Sequence, residues 1–286
     1  MLPAEIHSFC KTEFGTIHSF QTCAGGCINN GGKLRTSSGT FFIKWNSSTL
    51  FPQMFLKEKS GLELLASSAS LRIPSVIAIY EGDGQSCLLL EYLESAPKKS
   101  NYWQNLGIGL ARMHLITSHA YGLETDNFMG SLRQSNRYTE SWTDFFTNER
   151  ILPQVKLARD HGRIQQKEAD SIETLCKKLP ELINIERPAL THGDLWSGNI
   201  MTDELGEPAL IDPAVSFCHR ETDIAMTTLF GRLPEEFYQA YQSEYKLESG
   251  WNKRIDIYNL YPLLVHVNLF GNSYLSQVMQ ITKRFN

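Results

Sequence analysis

The stretch His192-Gly193-Asp194-Leu195-Trp196-Ser197-Gly198-Asn199, followed thirteen residues later by Asp212 in Leu210-Ile211-Asp212-Pro213, leaves this chain few folds to choose from. An Asp and an Asn five residues apart, with a further Asp beyond them, is a spacing suited to phosphoryl transfer. The first carboxylate accepts a hydroxyl proton, and the amide and the second carboxylate hold Mg²⁺. The intervening residues explain how the second carboxylate reaches the same ion. Asn199-Ile200-Met201 and Ala209-Leu210-Ile211 read as two short apolar strands around the turn Asp203-Glu204-Leu205-Gly206-Glu207-Pro208. A hairpin centred between Leu205 and Gly206 sets Asn199 opposite Asp212, with Cβ atoms roughly 5 Å apart. Two hard oxygen ligands on one side suit Mg²⁺, which fills its other positions with phosphate oxygens and water.

Such chemistry needs a cleft, and 286 residues exceed the usual size of one core, so two lobes within one fold are expected. Hydrophobic residues make up 42% of the chain, enough for a large interior, while a net charge of −4 gives no global pull toward nucleic acid or anionic membrane. Substrate phosphates must therefore meet local positive groups. Met1-Leu2-Pro3-Ala4-Glu5 shows neither a basic start nor an apolar run, so no secretory signal is read and a cytoplasmic location is expected. The apolar stretch Leu260 to Phe270 is interrupted by Pro262, His266 and Asn268 and is too short to span a bilayer. Six scattered cysteines in such a chain argue against a disulfide framework, and Cys23 and Cys27 lack the partners of a zinc site.

From Thr16 to Trp45 the pattern is strand, glycine turn, strand, short turn, strand. Glycines at Gly25 and Gly26, with Cys27 and Ile28, let a hairpin backbone approach phosphate oxygens, so this turn reads as a nucleotide lid. Lys44 ends the apolar run Phe41-Phe42-Ile43 beneath it. In the helix that follows, Phe51, Phe55, Glu58, Leu62, Leu65 and Ala69 keep a three-and-four spacing that places Glu58 inside the apolar stripe. A carboxylate there needs a cation, and Lys44 is the expected partner, as in kinases where a strand Lys is held toward the phosphates by a helix Glu. Glu63 and Glu81 are the alternatives. Ser86 to Leu93 reads as an inner strand running into an interlobe connector, where Glu91, Tyr92 and Leu93 offer backbone groups to an adenine edge. Helical spacing at Trp103, Leu106, Leu110, Met113 and Thr117 opens a mainly helical second lobe. It continues over Trp142 to Asp160, Arg163 to Leu179, Pro234 to Tyr245 and Trp251 to Leu264. Periodicity assigns no chemistry to His114 or to the tyrosine-rich final helices.

Gly25-Gly26-Cys27-Ile28-Asn29, Phe41-Phe42-Ile43-Lys44, Glu58 with Gly61-Leu62, Asn127-Phe128-Met129-Gly130, the Asp194 loop, Ile211-Asp212-Pro213-Ala214, His219 to Met226 and Leu269 to Tyr274 together resemble the fructosamine kinases, also called ketosamine-3-kinases. The matches run in order along nearly the whole chain. His-Gly-Asp alone is shared with aminoglycoside and choline kinases; the longer set is narrower. The resemblance implies an α+β, protein-kinase-like fold, with residues 1–93 as a nucleotide-binding lobe and 94–286 as a catalytic and substrate-binding lobe. It implies ATP- and Mg²⁺-dependent phosphorylation of the 3-hydroxyl of a ketosamine, free or on a glycated protein, whose product releases its amine: a deglycation role. By the same resemblance Asp194 is the base, Asn199 and Asp212 the metal ligands, Lys44 and Glu58 the phosphate-orienting pair, and Gly25 to Ile28 the lid. His192 and Asp223 support the loop, and Trp196 is a substrate wall or a brace for the loop.

One departure from the family pattern is Val215-Ser216-Phe217-Cys218, where an aromatic pair and Gly are usual. The chain also lacks the Asp-Phe-Gly and Ala-Pro-Glu motifs of protein kinases, which favours a small acceptor over a docked protein segment. A thiol at Cys27 in a phosphate-cradling turn suggests an oxidation-sensitive lid. Two other functions stay open at this stage: a kinase for another amine-bearing alcohol, such as an aminoglycoside or choline, and an ATP-binding pseudokinase. The chain is read as a monomer or a homodimer.

Overall fold

The computed structural model describes residues 2–23 and 29–286. The lid residues Gly25, Gly26, Cys27 and Ile28 therefore lie outside the described residues.

Helix α1 (Ala4–Phe14) opens the chain, followed by strands β1 (Ile17–Thr22), β2 (Asn30–Thr36) and β3 (Gly39–Asn46), helix α2 (Met54–Ser67), and strands β4 (Val76–Glu81) and β5 (Ser86–Glu91). The strands form one antiparallel sheet in the order β1-β2-β3-β5-β4. β5 explains the unbroken apolar run Cys87–Leu90. Cys87 and Leu89 face a core that holds Ile6 and Cys10 of α1, while Leu88 and Leu90 face Phe55, Leu62 and Leu65 of α2. A strand buried on both faces has no polar side to alternate with. In β3, Ile43 and Trp45 join the α1 side, and Lys44, paired opposite Leu88, takes the α2 side. The period of two thus aims Lys44 at the helix that carries Glu58.

The sequence spacing did not reveal α1, although Pro3 before it and Gly15 after it, at φ +78°, are start and stop signals. α2 is shorter than the apolar stripe suggested: Phe51 precedes it, and Ala69, at φ +50°, follows it.

Beyond the connector come α3 (Tyr102–His114), the hairpin β6 (Asn127–Met129) and β7 (Leu132–Gln134), and α4 (Trp142–Phe145). A π-helical turn, Phe146–Ile151, leads into α5 (Leu152–Asp160). The expected single helix Trp142 to Asp160 is therefore interrupted, and the turn buries Glu149 and Arg150 at successive positions. α6 (Gln166–Leu182) starts at a Gln165/Glu168 capping box instead of at Arg163. Thr117 falls outside α3. The remaining elements are β8 (Ala189–Thr191), β9 (Ile200–Thr202), β10 (Pro208–Leu210), β11 (Ser216–Cys218), α7 (Glu221–Met226), α8 (Glu235–Glu244), α9 (Trp251–Phe270) and α10 (Leu275–Phe285). One apolar core runs from Leu88 and Leu90 of the sheet through Leu106, Leu110 and Leu210 to Phe237 of α8, so sheet and helices share an interior. Among the described residues no helix is long and apolar enough to cross a membrane. Cys10, Cys23, Cys87, Cys176 and Cys218 are free thiols.

The hairpin β9–β10 differs from expectation by one residue. Met201 pairs with Ala209 and Ile200 with Leu210, which sets Asn199 against Ile211 instead of Asp212. Five residues, not an even number, turn the corner, because the Asp203 carboxylate accepts the N–H groups of both Leu205 (2.9 Å) and Glu207 (2.8 Å). The hairpin is tied to both sides of the cleft. Leu210 donates to the Arg72 carbonyl ahead of β4, while Asp203 and Gly206 accept from Ala96 and Lys99 after β5.

Candidate active site

The loop from β8 to β9 carries His192 to Asn199. Its entry is fixed by Asp223 of α7, whose two carboxylate oxygens accept the N–H groups of His192 (2.7 Å) and Gly193 (2.9 Å). Gly193 has φ +82°, and a Cβ there would lie 2.1 Å from the Ala214 carbonyl oxygen, so no other residue fits. His192 Nε2–H donates to the Ile211 carbonyl (3.0 Å), which leaves Nδ1 to accept the Asp194 N–H (3.3 Å). Burial pushes the His192 pKa down, against the pull of Asp223. A neutral ring therefore ties the loop to the strand that precedes Asp212.

Sequence spacing missed His114. Buried at the end of α3, it donates from Nε2 to Asp223 (3.2 Å) and accepts from the Tyr241 hydroxyl at Nδ1 (2.8 Å), which in turn accepts from Arg220 (3.3 Å). Burial alone would raise the Asp223 pKa, but the His114 hydrogen bond, the nearby histidines and the Gly193 N–H outweigh it and hold the carboxyl below the ordinary range.

Asn199 Nδ2 donates to both the Asp194 carbonyl (2.8 Å) and its carboxylate (3.0 Å). That orientation commits the amide N–H to Asp194 and leaves the Asn199 oxygen with no hydrogen-bond donor among the described residues. Burial, together with the neighbouring Asp212 charge, raises the Asp194 pKa to about 7, against the Asn199 hydrogen bond. Asp212 has φ +53°, an uncommon conformation for a residue with a side chain, and its carboxylate is half-exposed. Lys44 contacts both Asp212 and Glu58, as the residue spacing predicted for Glu58. Burial opposes the charge on Lys44, but the two carboxylates outweigh it and hold its pKa above the usual lysine value. Burial pushes the Glu58 pKa upward, the opposite sense for an ion pair; with one cation between two carboxylates, we read Lys44 as charged and shared. The Asp212 carboxylate and the Asn199 amide oxygen are hard oxygen donors of the kind that fits a divalent cation.

At the connector, one of the backbone groups expected to face adenine is already taken. The Glu91 N–H donates to the Ser75 carbonyl (2.9 Å), and its carboxylate is held by Arg72 and by the Ser75 N–H (3.1 Å), so Glu91 has no free donor for an adenine. Tyr92 lies under Lys33, whose Nζ is 4.0 Å from the ring centre and pairs with Glu94 at 3.0 Å. Leu93 is buried, and among the described residues no backbone carbonyl takes its N–H.

Trp196 lies over Gly198, where a Cβ would come within 2.2 Å of the indole. Its edge meets Phe230 (5.8 Å between ring centres), Phe230 meets His266 (4.9 Å), and His266 meets Phe270 (5.3 Å) and Tyr274 (4.9 Å). Phe230 and Phe270 remain exposed. This aromatic wall, assembled from the loop after α7 and the end of α9, was invisible to local spacing except at Trp196.

Behind Asp223, His219 is enclosed by Glu186, Glu221, Arg220, Arg254 and Tyr258. Arg220 clamps Glu186 and Arg254 clamps Glu221, while His219 Nε2 lies 4.0 Å from Glu186. Burial, reinforced by the two arginines and opposed by Glu186, lowers the His219 pKa to about 4. The unfolded chain then binds a proton near pH 6.5 that the folded chain refuses, so stability is lost as pH falls from 6.5 toward 4. The full shift corresponds to about 3 kcal/mol. Urea titrations at pH 7.5 and 5 should show a smaller acid loss in His219→Asn than in the parent; equal losses would assign the effect elsewhere.

With this geometry in place, the sequence can be set against known proteins. The sequence model of the fructosamine kinase family matches residues 4–285. The chain belongs to the fructosamine kinase family. A probable ketoamine kinase of Synechocystis sp. is 38% identical over 94% of this fructosamine kinase family member and 90% of its own length. The chloroplastic protein-ribulosamine 3-kinase of Arabidopsis thaliana is 39% identical over 93% and 82%. A crystal structure from Haemophilus somnus 129PT, named as a candidate fructosamine-3-kinase, superposes with a TM-score of 0.88 at 29% identity, covering 98% of this chain and 96% of that one. An aminoglycoside phosphotransferase, APH(4)-Ia, shares the fold at a TM-score of 0.67 and 16% identity, covering 98% of both chains. The protein-kinase-like architecture of this fructosamine kinase family member is thereby established.

Proposed function

We propose that this protein transfers the γ-phosphoryl group of ATP to the 3-hydroxyl of a ketosamine, a step that destabilises the adduct and promotes deglycation. The convergence of Lys44, Glu58, Asp194, Asn199 and Asp212 at one cleft carries the phosphotransfer reading. The relatives named for ketoamines and ribulosamines support the acceptor, and the 3-kinase name supports the position.

Asp194 positions the acceptor hydroxyl and takes its proton as the new O–P bond forms and the bond to the β-phosphate oxygen breaks, ADP leaving with the electron pair. In the metal-free protein burial and the Asp212 charge favour the protonated form of this carboxyl. Asn199 orients the carboxylate through its amide N–H. Lys44, steadied by Glu58, presents positive charge to the phosphates. Mg²⁺, held by Asp212 and the Asn199 oxygen, would neutralise charge on the transferring group. At the connector the Leu93 N–H is the donor we assign to the adenine edge, with Tyr92 and the carbonyl of Glu91 beside it; Gly25 to Ile28, outside the described residues, are the stretch we assign to the phosphate lid.

Purified protein with Mg²⁺ and ATP should phosphorylate a ketosamine at O3, located by NMR, in preference to amino sugars, aminoglycosides and choline. Preference for another acceptor would overturn the deglycation role, and ATP binding without any transfer would support a pseudokinase. Trp196 supplies the nearest face of the aromatic wall. Its replacement, Trp196→Ala, should raise the acceptor KM about tenfold, the value of one aromatic contact, with the KM for ATP unchanged. An unaltered acceptor KM would remove Trp196 from the substrate wall and leave it as a brace for the loop.

A further inference from the structure

The backbone just after Asp212 is gripped by buried side-chain amides. Gln134 Nε2 donates to the Ala214 carbonyl (3.2 Å) and Asn127 Nδ2 to the Val215 carbonyl (2.8 Å). The two residues face each other across the β6–β7 ladder and are joined by a hydrogen bond from Gln134 Nε2 to Asn127 Oδ1 (2.8 Å). Their orientation is set from outside. The Tyr261 hydroxyl of α9 donates to Gln134 Oε1 (2.8 Å), and Asn136 Nδ2 donates to Asn127 Oδ1 (2.9 Å). Arg150, delivered by the π-helical turn, donates to Asn136 Oδ1 (2.7 Å). Flipping either amide would set oxygen against a carbonyl oxygen, so the network admits one arrangement. On its other side the segment is tied to the catalytic loop, because the Ala214 N–H donates to the His192 carbonyl (2.9 Å). Asp212 sits two residues upstream at φ +53°, a conformation that persists only where the surroundings impose it.

We propose that Asn127 and Gln134 are positioning residues: a buried amide pair that fixes the Ala214–Val215 backbone and thereby holds the Asp212 carboxylate in its left-handed, metal-facing conformation. The inference rests on the proposed role of Asp212 as a metal ligand. Neither amide touches the reacting atoms.

The test uses the near-isosteric variants Gln134→Glu and Asn127→Asp, which replace the donating N–H by oxygen, and the milder Tyr261→Phe, which frees the Gln134 amide to turn. Affinity for a fluorescent ATP analogue is measured with Mg²⁺ and with chelator, alongside steady-state kinetics and hydrogen exchange over residues 212–216. In the two amide variants the affinity gained from Mg²⁺ should fall about tenfold and kcat about ten- to a hundredfold, the effect of a sub-ångström misplacement. Metal-free affinity and acceptor KM should stay within about twofold, and exchange over the segment should quicken. Tyr261→Phe should move each quantity the same way by less. In an Asp212→Asn background, Gln134→Glu should subtract nothing further from the metal-dependent affinity.

Folded amide variants with parental Mg²⁺-dependent affinity and kcat would overturn the proposal, as would losses that track only the fraction of folded protein. If Asp212→Asn itself retains the full Mg²⁺-dependent affinity, the reading of Asp212 falls and the clamp falls with it. If Asp212→Asn loses that affinity and the amide variants do not, the clamp alone is wrong.

Discussion

Asp194→Asn is expected to leave a folded protein whose turnover falls by about a thousandfold, within the usual span for removing a general base. The amide keeps an oxygen for the Asn199 N–H and therefore the loop geometry, so the loss reports proton acceptance and hydroxyl alignment. The same change should raise stability in metal-free buffer. A carboxyl held near pH 7 in the fold, against the ordinary value near 3.9 in the unfolded chain, keeps its proton through the interval between them. Folding stability therefore falls as pH rises through that interval, and the neutral amide escapes the loss. Because Asp194 is partly accessible, we expect a gain of roughly 1–2 kcal/mol at pH 7.5 and almost none at pH 4. Denaturation at both pH values, with turnover measured on the same preparation, checks the pair. A variant with near-parental turnover would defeat the assignment of Asp194 as base.

Asp223→Ala should be the most damaging change outside the reacting centre. It removes the acceptor for two buried backbone N–H groups and for His114 at once. Stranding buried partners of a charged group costs about 3–5 kcal/mol, a large part of the 5–15 kcal/mol that holds a typical domain together. Asp223→Asn retains one oxygen and should lose about half as much. Turnover should fall with the Ala variant even where it is folded, since the entry to the Asp194 loop is no longer pinned. Urea midpoints at constant slope provide the measurement, and an Ala variant within about 0.5 kcal/mol of the parent would dismiss the anchoring role. The pH windows separate Asp223 from His219. The Asp223 carboxyl is held below its ordinary value, so its contribution is complete above about pH 4 and is lost only as pH falls through the folded value. His219 acts at higher pH, between 6.5 and about 4.

Local spacing revealed whatever depends on local geometry. The three-and-four rhythm of α2 set Glu58 inside an apolar stripe, where a carboxylate needs a cation, and Lys44 at the end of the β3 run was the expected partner. The five-residue step from Asp194 to Asn199 was likewise readable, since the chain is too short there to put them far apart. The hairpin register was not. It turned on the Asp203 side chain taking two N–H groups, a choice that strand pattern does not encode. His114 and Tyr261 were out of reach for a different reason: each meets the site from an element remote in sequence, where apolar rhythm places it in the core and says nothing about the polar atom it carries, and Gln134 sits in a strand of three residues, too short to show a rhythm. Nor does strand pattern show that the Glu91 N–H is committed to Ser75, a partner sixteen residues away, which leaves Glu91 only its carbonyl to offer at the connector.

The double attachment of the β9–β10 hairpin ties the sheet to the segment that carries the proposed metal ligands. The sheet is joined to the rest of the chain by the strand that exits through Glu91 and Tyr92 and, close beside it, by the hydrogen bond from Leu210 to Arg72, the residue that also grips Glu91. These two neighbouring pins, the apolar core shared from Leu88 to Phe237 and the contact of Lys44 with Asp212 fasten the sheet to the helices at separate points. Because the hairpin is fastened to Ala96 and Lys99 as well, the strand that leads to Asp212 is held at once by the edge of the sheet and by the connector, and the contact of Lys44 with Asp212 closes the ring.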